Sequence, residues 1–490
     1  MARLELKDIL KWCGGQLLTQ PEPERSILFA GLSSDTRTIR PGSLFLALRG
    51  QNHDGHAYLD AAAAAGATGL LIADHAAANR LTGLTDLVII LVNDTLKALQ
   101  DIASGYRDTL PGRVIGITGS VGKTSTRQMV SACLQPAMRV HQTSGNLNNE
   151  IGLPQTLLLA GVEHEAIVLE MGMRGPGEIS LLSRIARPDI ALVTCIGYSH
   201  IGRLGSQAAI LAAKTEITDG LNPGGLLILN GEDPLLLDWG SRHSGQLRLA
   251  WICQDPDRAA ELSSLSEFVL CAEQISTHAG GSRFLASLWT DGKALHRVTV
   301  SLPFPGEHHI QNTLLGLAAA HELAVDLQLA AEGAASCQNT GNRQRLIEQN
   351  DILIMDDSYN ASPESMRAAL QTMARLAGGR RLIAALGCML ELGDFAAAAH
   401  FDLGRQVVEQ GFAGLLATGP HAAEIVAGAL AADPAFHAEV FADNLALAAA
   451  LIPKLLPGDC LLVKGSRGFA MEKVTDAVLT HLSETEKKTC

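Results

Sequence analysis

The sequence has few aromatic residues, no excess of positive charge, no paired cysteines and no long apolar run. Only 4% of its 490 residues are Phe, Trp or Tyr, and the formal net charge is −13. This charge argues against a nucleic-acid-binding surface and against a basic membrane-binding patch. If the protein handles anions, it must concentrate its positive charge locally.

The cysteines and the apolar segments argue against a disulfide framework, a zinc site, a signal peptide and a membrane helix. The nine cysteines are dispersed singly, without a CxxC pair, which indicates reduced thiols rather than a disulfide framework or a zinc site. The first residues, MARLELKDILKWCGG, include acidic side chains and lack the apolar run of a signal peptide. No stretch reaches the ~18 apolar residues of a membrane helix. These features predict a soluble, cytoplasmic protein.

The length and the hydrophobic pattern predict an α/β protein with three domains. A chain of 490 residues is too long for a single core. Strand-like apolar runs alternate with helical segments, and this alternation is typical of parallel sheets. We expect a small α/β domain over residues 1–108, a central parallel-sheet domain over 109–338, and a second doubly wound unit over 339–490.

A glycine loop opens the central domain. The β-branched run RVIGIT leads into TGSVGKT and then into a helical segment. Counted from Gly116, five residues rather than four precede Gly122, so the strict GxxxxGK[ST] spacing is not met, although the core is intact. Backbone N–H groups at a helix N-terminus bind phosphate, while Lys123 and Thr124 are placed for the outer phosphates and Mg²⁺. A plain glycine turn is the alternative, and the strand–loop–helix context favours phosphate binding.

Three further residues follow predicted strands. Glu170 ends the run AIVLE, and ligands of parallel sheets collect at the carboxyl ends of strands, so this acid is placed to bind Mg²⁺. A solvated acid is the alternative for Glu170. His200, in SHIGRLGS, and Lys214, in AKTEI, have no evident role by themselves. In isolation they indicate a structural histidine and a solvated lysine.

Nine sequence blocks in order resemble the Mur ligase family. They are TGSVGKTST, GNLNNEIGLP, LEMGMRGPGEI, SHIGRLGS, AKTEI, LILNGEDP, DDSYNASPESM, LGCMLELG and VKGSRGFAMEKV. Each block is weak evidence alone, but their order is specific, and the resemblance runs from about residue 33 to residue 474. The NLNNEIG, YNASP and KGSRG blocks are similar to those of the family members that add D-alanyl-D-alanine.

The resemblance implies an ATP-dependent amide-bond ligase of peptidoglycan precursor synthesis. The carboxylate of UDP-N-acetylmuramoyl-tripeptide would attack the γ-phosphate of ATP, and the amine of D-alanyl-D-alanine would then displace phosphate from the acyl phosphate. The resemblance further implies a UDP-sugar-binding first domain, an ATPase central domain and a Rossmann-like third domain. A monomer without nucleic-acid or membrane partners is expected, with a hinge near 335–345 that closes to exclude water.

The resemblance also implies a metal site and four catalytic residues. Thr124 and Glu170 would bind one Mg²⁺, while His200 and Lys214 would serve a second magnesium region. Lys214 would be carbamylated, since a bare ammonium repels Mg²⁺ whereas CO₂ addition creates an anionic oxygen ligand. Lys123, Glu170, His200 and Lys214 are therefore the predicted catalytic residues.

The nucleotide site implied by the resemblance combines the glycine loop with later blocks. Its predicted members are Gly119, Ser120, Val121, Gly122, Lys123, Thr124, Ser125, Asn312, Arg343, Asp357, Tyr359 and Asn360. Asn312 is expected near adenine, and Arg343 is expected at the terminal phosphate. Tyr359 offers a ring for stacking, and Asp357 offers an acceptor for the ribose. His309 stands where the family has a second asparagine.

The substrate sites implied by the resemblance lie in three blocks. The predicted residues are Asp35, Thr36 and Arg37 for the uridine diphosphate, Asn148 and Asn149 for the sugar or peptide, and Lys464, Ser466 and Arg467 as a local basic cluster for substrate carboxylates. Cys388 replaces the aspartate that is usual in the family. A plain surface turn is the alternative for the block that contains Lys464, Ser466 and Arg467.

Three other functions compete with this interpretation. A regulatory phosphate-loop NTPase would have no use for AKTEI or KGSRG. A catalytically silent family member would only bind the precursor, and Cys388 slightly favours it. A folate polyglutamylating ligase shares the loop and the lysine, but should lack NLNNEIG and YNASP. Diaminopimelate and lysine are equally compatible with the third position of the peptide.

Overall fold

The structure is a computed structural model that describes residues 4–19, 26–50, 53–77, 86–278, 280–338 and 341–489, with side chains up to residue 484. Residues 339 and 340 lie outside the described residues. They belong to the predicted hinge at 335–345, and residue 339 is the first residue after the predicted domain boundary at 338/339. All eight cysteines in the described ranges are free thiols. No described helix is both long and apolar enough to cross a membrane.

Helices and strands alternate along the chain, which confirms the predicted α/β class. The α-helices that lie wholly in the described ranges include α1 (Leu6–Cys13), α2 (Leu59–Ala64), α3 (Thr95–Arg107), α4 (Lys123–Leu134), α5 (Gly152–Leu159), α6 (Glu178–Ala186), α7 (Ile201–Leu204), α8 (Gln207–Thr215), α9 (Pro234–His243), α10 (Pro256–Ser263), α11 (Glu307–Glu322), α12 (Leu327–Ala335), α13 (Pro363–Leu376), α14 (Ala396–Glu409), α15 (Ala422–Ala432), α16 (Asn444–Leu451) and α17 (Glu472–Thr489).

The strands of the same ranges are β1 (Leu4–Glu5), β2 (Gln16–Thr19), β3 (Leu28–Phe29), β4 (Leu32–Ser33), β5 (Leu44–Leu46), β6 (Gly69–Ile72), β7 (Val88–Leu91), β8 (Arg113–Thr118), β9 (Val140–Gln142), β10 (Ala166–Glu170), β11 (Ile190–Val193), β12 (Leu226–Asn230), β13 (Arg248–Cys253), β14 (Phe268–His278), β15 (Gly281–Thr290), β16 (Lys293–Leu302), β17 (Arg345–Gln349), β18 (Ile352–Asp357), β19 (Arg381–Gly387), β20 (Gly414–Thr418), β21 (Ala438–Phe441) and β22 (Asp459–Lys464).

The chain forms two compact units. Unit 1 comprises Met1–Thr118, Leu134–Leu192 and Thr215–Ile228, and unit 2 comprises Gly119–Cys133, Val193–Lys214 and Leu229–Cys490. In unit 1, one sheet has the strand order β2-β7-β6-β5-β4, and a nine-stranded sheet contributes the consecutive strands β12-β11-β8-β10-β9. The run AIVLE, which the sequence predicts as a strand, forms β10 and is buried along its length, as expected of a parallel strand covered on both faces.

The register of unit 1 places two strand ends at one edge of the sheet. β10 pairs in parallel with β8, and Glu170 lies opposite Ile117. Both strands therefore end at the same edge, and the chain continues from Thr118 into the glycine loop. This is the edge at which parallel sheets collect their ligands.

Unit 2 contains two further groups of strands. β13 pairs in parallel with β14, and β14, β15 and β16 form an antiparallel ribbon. The C-terminal sheet has the order β17-β18-β22-β19-β20-β21, with only β17 antiparallel among the described strands. Its core is apolar and includes Ile354, Ile383, Leu461 and Val474. This sheet lies within the region, residues 339–490, for which a second doubly wound unit is expected, and the bounds of that domain stay a prediction.

Candidate active site

The glycine loop joins β8 to α4, as the strand–loop–helix pattern predicts. Gly119 has φ +145°, and a Cβ there would lie 1.9 Å from Oγ1 of Thr194. Gly122 has φ +86°. A side chain would be strained at either position, because both have a positive φ that favours glycine. At Gly119 there is also no space for a Cβ. The glycines therefore serve the shape of the loop at the N-terminus of a helix, where backbone N–H groups attract phosphate.

The segment after β11 holds this loop. The backbone N–H of Ser120 donates to the carbonyl of Cys195 at 2.9 Å, and the hydroxyl of Thr194 donates to the carbonyl of Val121 at 2.5 Å. Nζ of Lys123 donates to the carbonyl of Gly119 at 2.7 Å. The loop conformation is thus held by hydrogen bonds with neighbouring residues.

His200, Lys214 and Lys123 all lie in unit 2. Burial is the largest cause of the lowered pKa of His200, and the charges of Lys214 and Lys123 lower this pKa further, whereas Glu391 raises it. The side chain of Lys214 is fully buried. The interpretation of Lys214 as a solvated lysine is therefore wrong, because α8 directs the side chain into the interior. The family resemblance identified Lys214 as a candidate site residue, whereas the residues next to it in the sequence gave no such indication.

Glu170 is buried at the end of β10 in unit 1, so the alternative of a solvated acid is wrong. Its Oε1 accepts a hydrogen bond from Nδ2 of Asn148 at 2.8 Å, and its backbone N–H donates to Oγ1 of Thr143 at 3.0 Å. Oδ1 of Asn149 accepts from the backbone N–H of Gly152 at 2.9 Å and so supports the start of α5. Asn148 orients the carboxylate, which the sequence did not indicate.

The predicted uridine diphosphate residues follow β4 in unit 1. Asp35 and Arg37, with Thr36 between them, form an exposed ion pair with 2.7 Å between Oδ2 and Nη2. Hydrogen bonds from Arg37 lower the pKa of Asp35 to about 2. Nε2 of Gln155 donates to Oγ of Ser34 at 2.9 Å, so this turn lies next to α5. Their contacts with substrate remain predictions.

Asn312 lies beside the glycine loop. Its Oδ1 accepts a hydrogen bond from Oγ1 of Thr126 at 2.9 Å, and a Cβ at Gly122 would lie 3.2 Å from the same oxygen. Thr126 therefore holds the side-chain amide in one orientation. No sequence signal links two residues 186 positions apart, so the role of Thr126 is not predictable from the sequence.

Arg343 reaches the end of the loop. Its Nη2 donates to Oγ1 of Thr124 at 3.2 Å, and its guanidinium lies 4.1 Å from the centre of the Tyr359 ring. The backbone N–H of Tyr359 donates to the carbonyl of Asn342 at 3.1 Å. A cation–π contact of this kind fixes a flexible guanidinium. The structure thus brings Arg343 and Thr124 together, while the stacking of a base on Tyr359 remains a prediction.

The KGSRG block does not form an exposed basic cluster. Lys464 is buried, and its Nζ lies 2.6 Å from Oδ2 of Asp357 and donates to the carbonyl of Asn360 at 2.9 Å. Ser466 is also buried, and exposed Arg467 pairs with Glu472. The prediction of a local basic cluster is wrong in this respect, because a buried ammonium requires a paired acid.

Cys388 and His309, the two residues that depart from the family pattern, are both buried in unit 2. Sγ of Cys388 accepts a hydrogen bond from the backbone N–H of His421 at 3.3 Å and lies 3.4 Å from the carbonyl of Thr418. Burial raises the pKa of this thiol. His309 is also buried, and burial holds its pKa well below the ordinary value. Cys388 is therefore a packed residue near the start of α15.

No group of three or more His, Cys, Asp or Glu that could hold a metal ion occurs in the described parts of the chain. Mg²⁺ is usually bound by one or two protein oxygens, with water and phosphate oxygens completing the shell. Thr124, in unit 2, and Glu170, in unit 1, each carry an oxygen of this kind. Each residue by itself is therefore chemically suited to magnesium that arrives with a nucleotide.

Three family models match successive parts of the chain. They describe the Mur ligase family catalytic domain at residues 29–107, the Mur ligase middle domain at 117–320, and the Mur ligase glutamate ligase domain at 342–467. The Synechocystis protein named UDP-N-acetylmuramoyl-tripeptide–D-alanyl-D-alanine ligase is 35% identical, with 98% of each chain covered. The Escherichia coli protein of that name is 34% identical, with 92% of this chain and 94% of the relative covered.

A solved structure supports the same assignment. MurF from Acinetobacter baumannii aligns with a TM-score of 0.85 and 27% identity, covering 98% of this chain and 99% of that one. The similarity thus extends over the loop, the strand-end residues and the C-terminal sheet together. The chain belongs to the Mur ligase family.

Proposed function

We propose that the chain is an ATP-dependent ligase that joins D-alanyl-D-alanine to UDP-N-acetylmuramoyl-tripeptide in peptidoglycan precursor synthesis. The observation that carries this proposal is the similarity over 98% of the chain to a ligase of that name. Residues 1–108, 109–338 and 339–490 are the proposed UDP-sugar-binding, ATP-binding and Rossmann-like domains. A monomer in the cytoplasm, where ATP is available, is part of the same proposal.

The first chemical step must bring two anions together. The tripeptide carboxylate attacks the γ-phosphorus, the bond from that phosphorus to the bridging oxygen breaks, and ADP leaves. Lys123 at the loop and Arg343, which already contacts Thr124, supply positive charge where it is needed. In such reactions positioning and electrostatic stabilisation contribute most of the rate.

The second step forms the amide. The amine of D-alanyl-D-alanine attacks the acyl carbon, loses a proton, and expels phosphate. For substrate contacts we propose Asp35, Thr36, Arg37, Asn148, Asn149 and Arg467. The buried Lys464 and Ser466 support the nucleotide segment instead, since Lys464 pairs with Asp357.

We propose that Mg²⁺ is held by the hydroxyl of Thr124 and the carboxylate of Glu170, with His200 and Lys214 serving a second magnesium region. When bound, the ion neutralises phosphate charge. The burial of Glu170 and its hydrogen bond from Asn148 support the proposal, since an oriented carboxylate is a better ligand.

Phosphate release distinguishes the ligase from its rivals. With purified protein and Mg-ATP, we expect release only when both UDP-N-acetylmuramoyl-tripeptide and D-alanyl-D-alanine are present. Release without either precursor indicates a regulatory NTPase instead. Binding of the tripeptide without any release indicates a silent family member. Parallel reactions with diaminopimelate- and lysine-containing tripeptides identify the third residue by their kcat/KM.

Lys214 is the proposed site of carbamylation. Its side chain is fully buried, and its positive charge acts on His200. Conversion to a carbamate replaces that charge with an anion, which makes the site favourable for Mg²⁺. We expect activity to fall after incubation in CO₂-free buffer at mildly acidic pH, and to recover when bicarbonate is added. Activity that is unaffected by CO₂ removal would contradict carbamylation.

A further inference from the structure

The turn after β19 contacts the segment that carries His200, and both lie in unit 2. Nδ1 of His200 lies 2.5 Å from Oε2 of Glu391. The backbone N–H of Gly202 donates to the carbonyl of Glu391 at 3.0 Å. A Cβ at Gly202 would lie 2.5 Å from the backbone nitrogen of Gly393, so two glycines permit this approach.

The local backbone on both sides of this contact is unusual. His200 and Glu391 both have φ 64°, in the left-handed region that side chains other than glycine seldom adopt. Such conformations persist where the surroundings enforce them, often at functional sites. A second carboxylate, Glu364, accepts from the backbone N–H of Tyr198 at 2.7 Å. The carboxylate of Glu364 and the backbone carbonyl of Glu391, both from the region matched by the C-terminal family model, therefore hold the segment before and after His200.

The short distance has a consequence for the protonation of the ring. A nitrogen and a carboxylate oxygen 2.5 Å apart repel each other unless a proton lies between them. In this structure the two atoms are close without the alignment of a linear hydrogen bond. A neutral imidazole that carries its proton on Nδ1 has an unprotonated Nε2, which can act as a ligand or acceptor.

We propose that Glu391 is a positioning residue for His200. It selects the Nδ1–H tautomer and thereby leaves Nε2 unprotonated, and it does so when the turn at residues 390–393 is docked on the segment at 199–205. This inference rests on the proposed function, because it concerns the His200 that is proposed to serve the second magnesium region. The contact between Glu391 and His200 also makes the tautomer of His200 depend on the position of the turn at residues 390–393.

The tautomer can be measured without any ligand. Full-length protein labelled with ¹⁵N in histidine, at pH 8, gives separate long-range ¹⁵N–¹H correlations for protonated and unprotonated ring nitrogens, and the loss of signals in His200→Ala assigns them. We expect His200 to have Nδ1 protonated. Glu391→Ala should shift it to the Nε2–H form that free imidazole prefers, whereas Glu391→Gln, which retains an acceptor oxygen, should keep the Nδ1–H form. An Nε2–H ring in the wild-type protein, or no change in Glu391→Ala, overturns the inference.

Kinetics provide the second measurement. Supporting residues of metal ligands typically contribute about 10–100-fold to activity or metal affinity. We expect Glu391→Ala to lower kcat, or to raise the Mg²⁺ concentration for half-maximal rate, within that range, with KM for D-alanyl-D-alanine unchanged. Asp394→Asn, an exposed carboxylate next to the same turn, is the matched control. If the wild-type enzyme releases no phosphate, the proposed function fails, while the tautomer result still decides the role of Glu391.

Discussion

Lys123→Ala is expected to remove most of the ligase turnover. The lysine follows the glycine loop at the first position of α4, where its ammonium can neutralise charge on the outer phosphates. Removing one electrostatic stabiliser of a transition state typically lowers kcat by about 100–1,000-fold. The measurement is phosphate release at saturating ATP, tripeptide and D-alanyl-D-alanine.

The control for this variant is another lysine. Lys97 lies in α3 and forms an exposed ion pair with Asp101, so Lys97→Ala should retain the wild-type rate. Thermal unfolding of both variants shows whether the fold is intact. A folded Lys123→Ala protein that turns over near the wild-type rate would refute the phosphate site at this loop.

Glu170→Ala is expected to have an effect of similar size for a different reason. The variant removes a buried, oriented carboxylate that we propose as a magnesium ligand. A bound metal contributes several kcal/mol of charge stabilisation, and each 1.36 kcal/mol corresponds to a tenfold change in rate, so a loss of about 100-fold or more is expected. The dependence of the rate on Mg²⁺ concentration should shift to higher values.

Two comparison variants separate charge from shape. Glu170→Gln retains an oxygen for the hydrogen bond from Asn148 but loses the charge, and we expect it to be nearly as impaired as Glu170→Ala. Glu165→Ala removes an exposed carboxylate just before the same strand and should have little effect. An active Glu170→Gln enzyme with normal magnesium dependence would rule out Glu170 as a ligand.

The local features of this site could be predicted from the sequence. The β-branched run, the glycine loop and the following helix occur as expected, because each depends on neighbouring residues. Glu170 was predicted at the end of a strand, since the apolar run before it ends at a charged residue. The family resemblance identified His200 and Lys214, for which the residues themselves gave no signal.

In the block LGCMLELG, the residue that departs from the family pattern is not the one that makes the contact with His200. Cys388 departs from the pattern, yet its thiol is buried in the C-terminal region. Glu391, three residues later, contacts His200. A departure from a pattern marks a difference from relatives, whereas a side-chain contact depends on which loops meet in space.

The sequence by itself determined the α/β class, the phosphate loop and the family, because these depend on periodicity and on short ordered blocks. Only the tertiary structure decided the partners of the charged and polar side chains. Lys464 neutralises Asp357, and Thr126 orients Asn312. These pairs are far apart in the sequence, and burial requires each polar group to find a partner wherever the fold provides one.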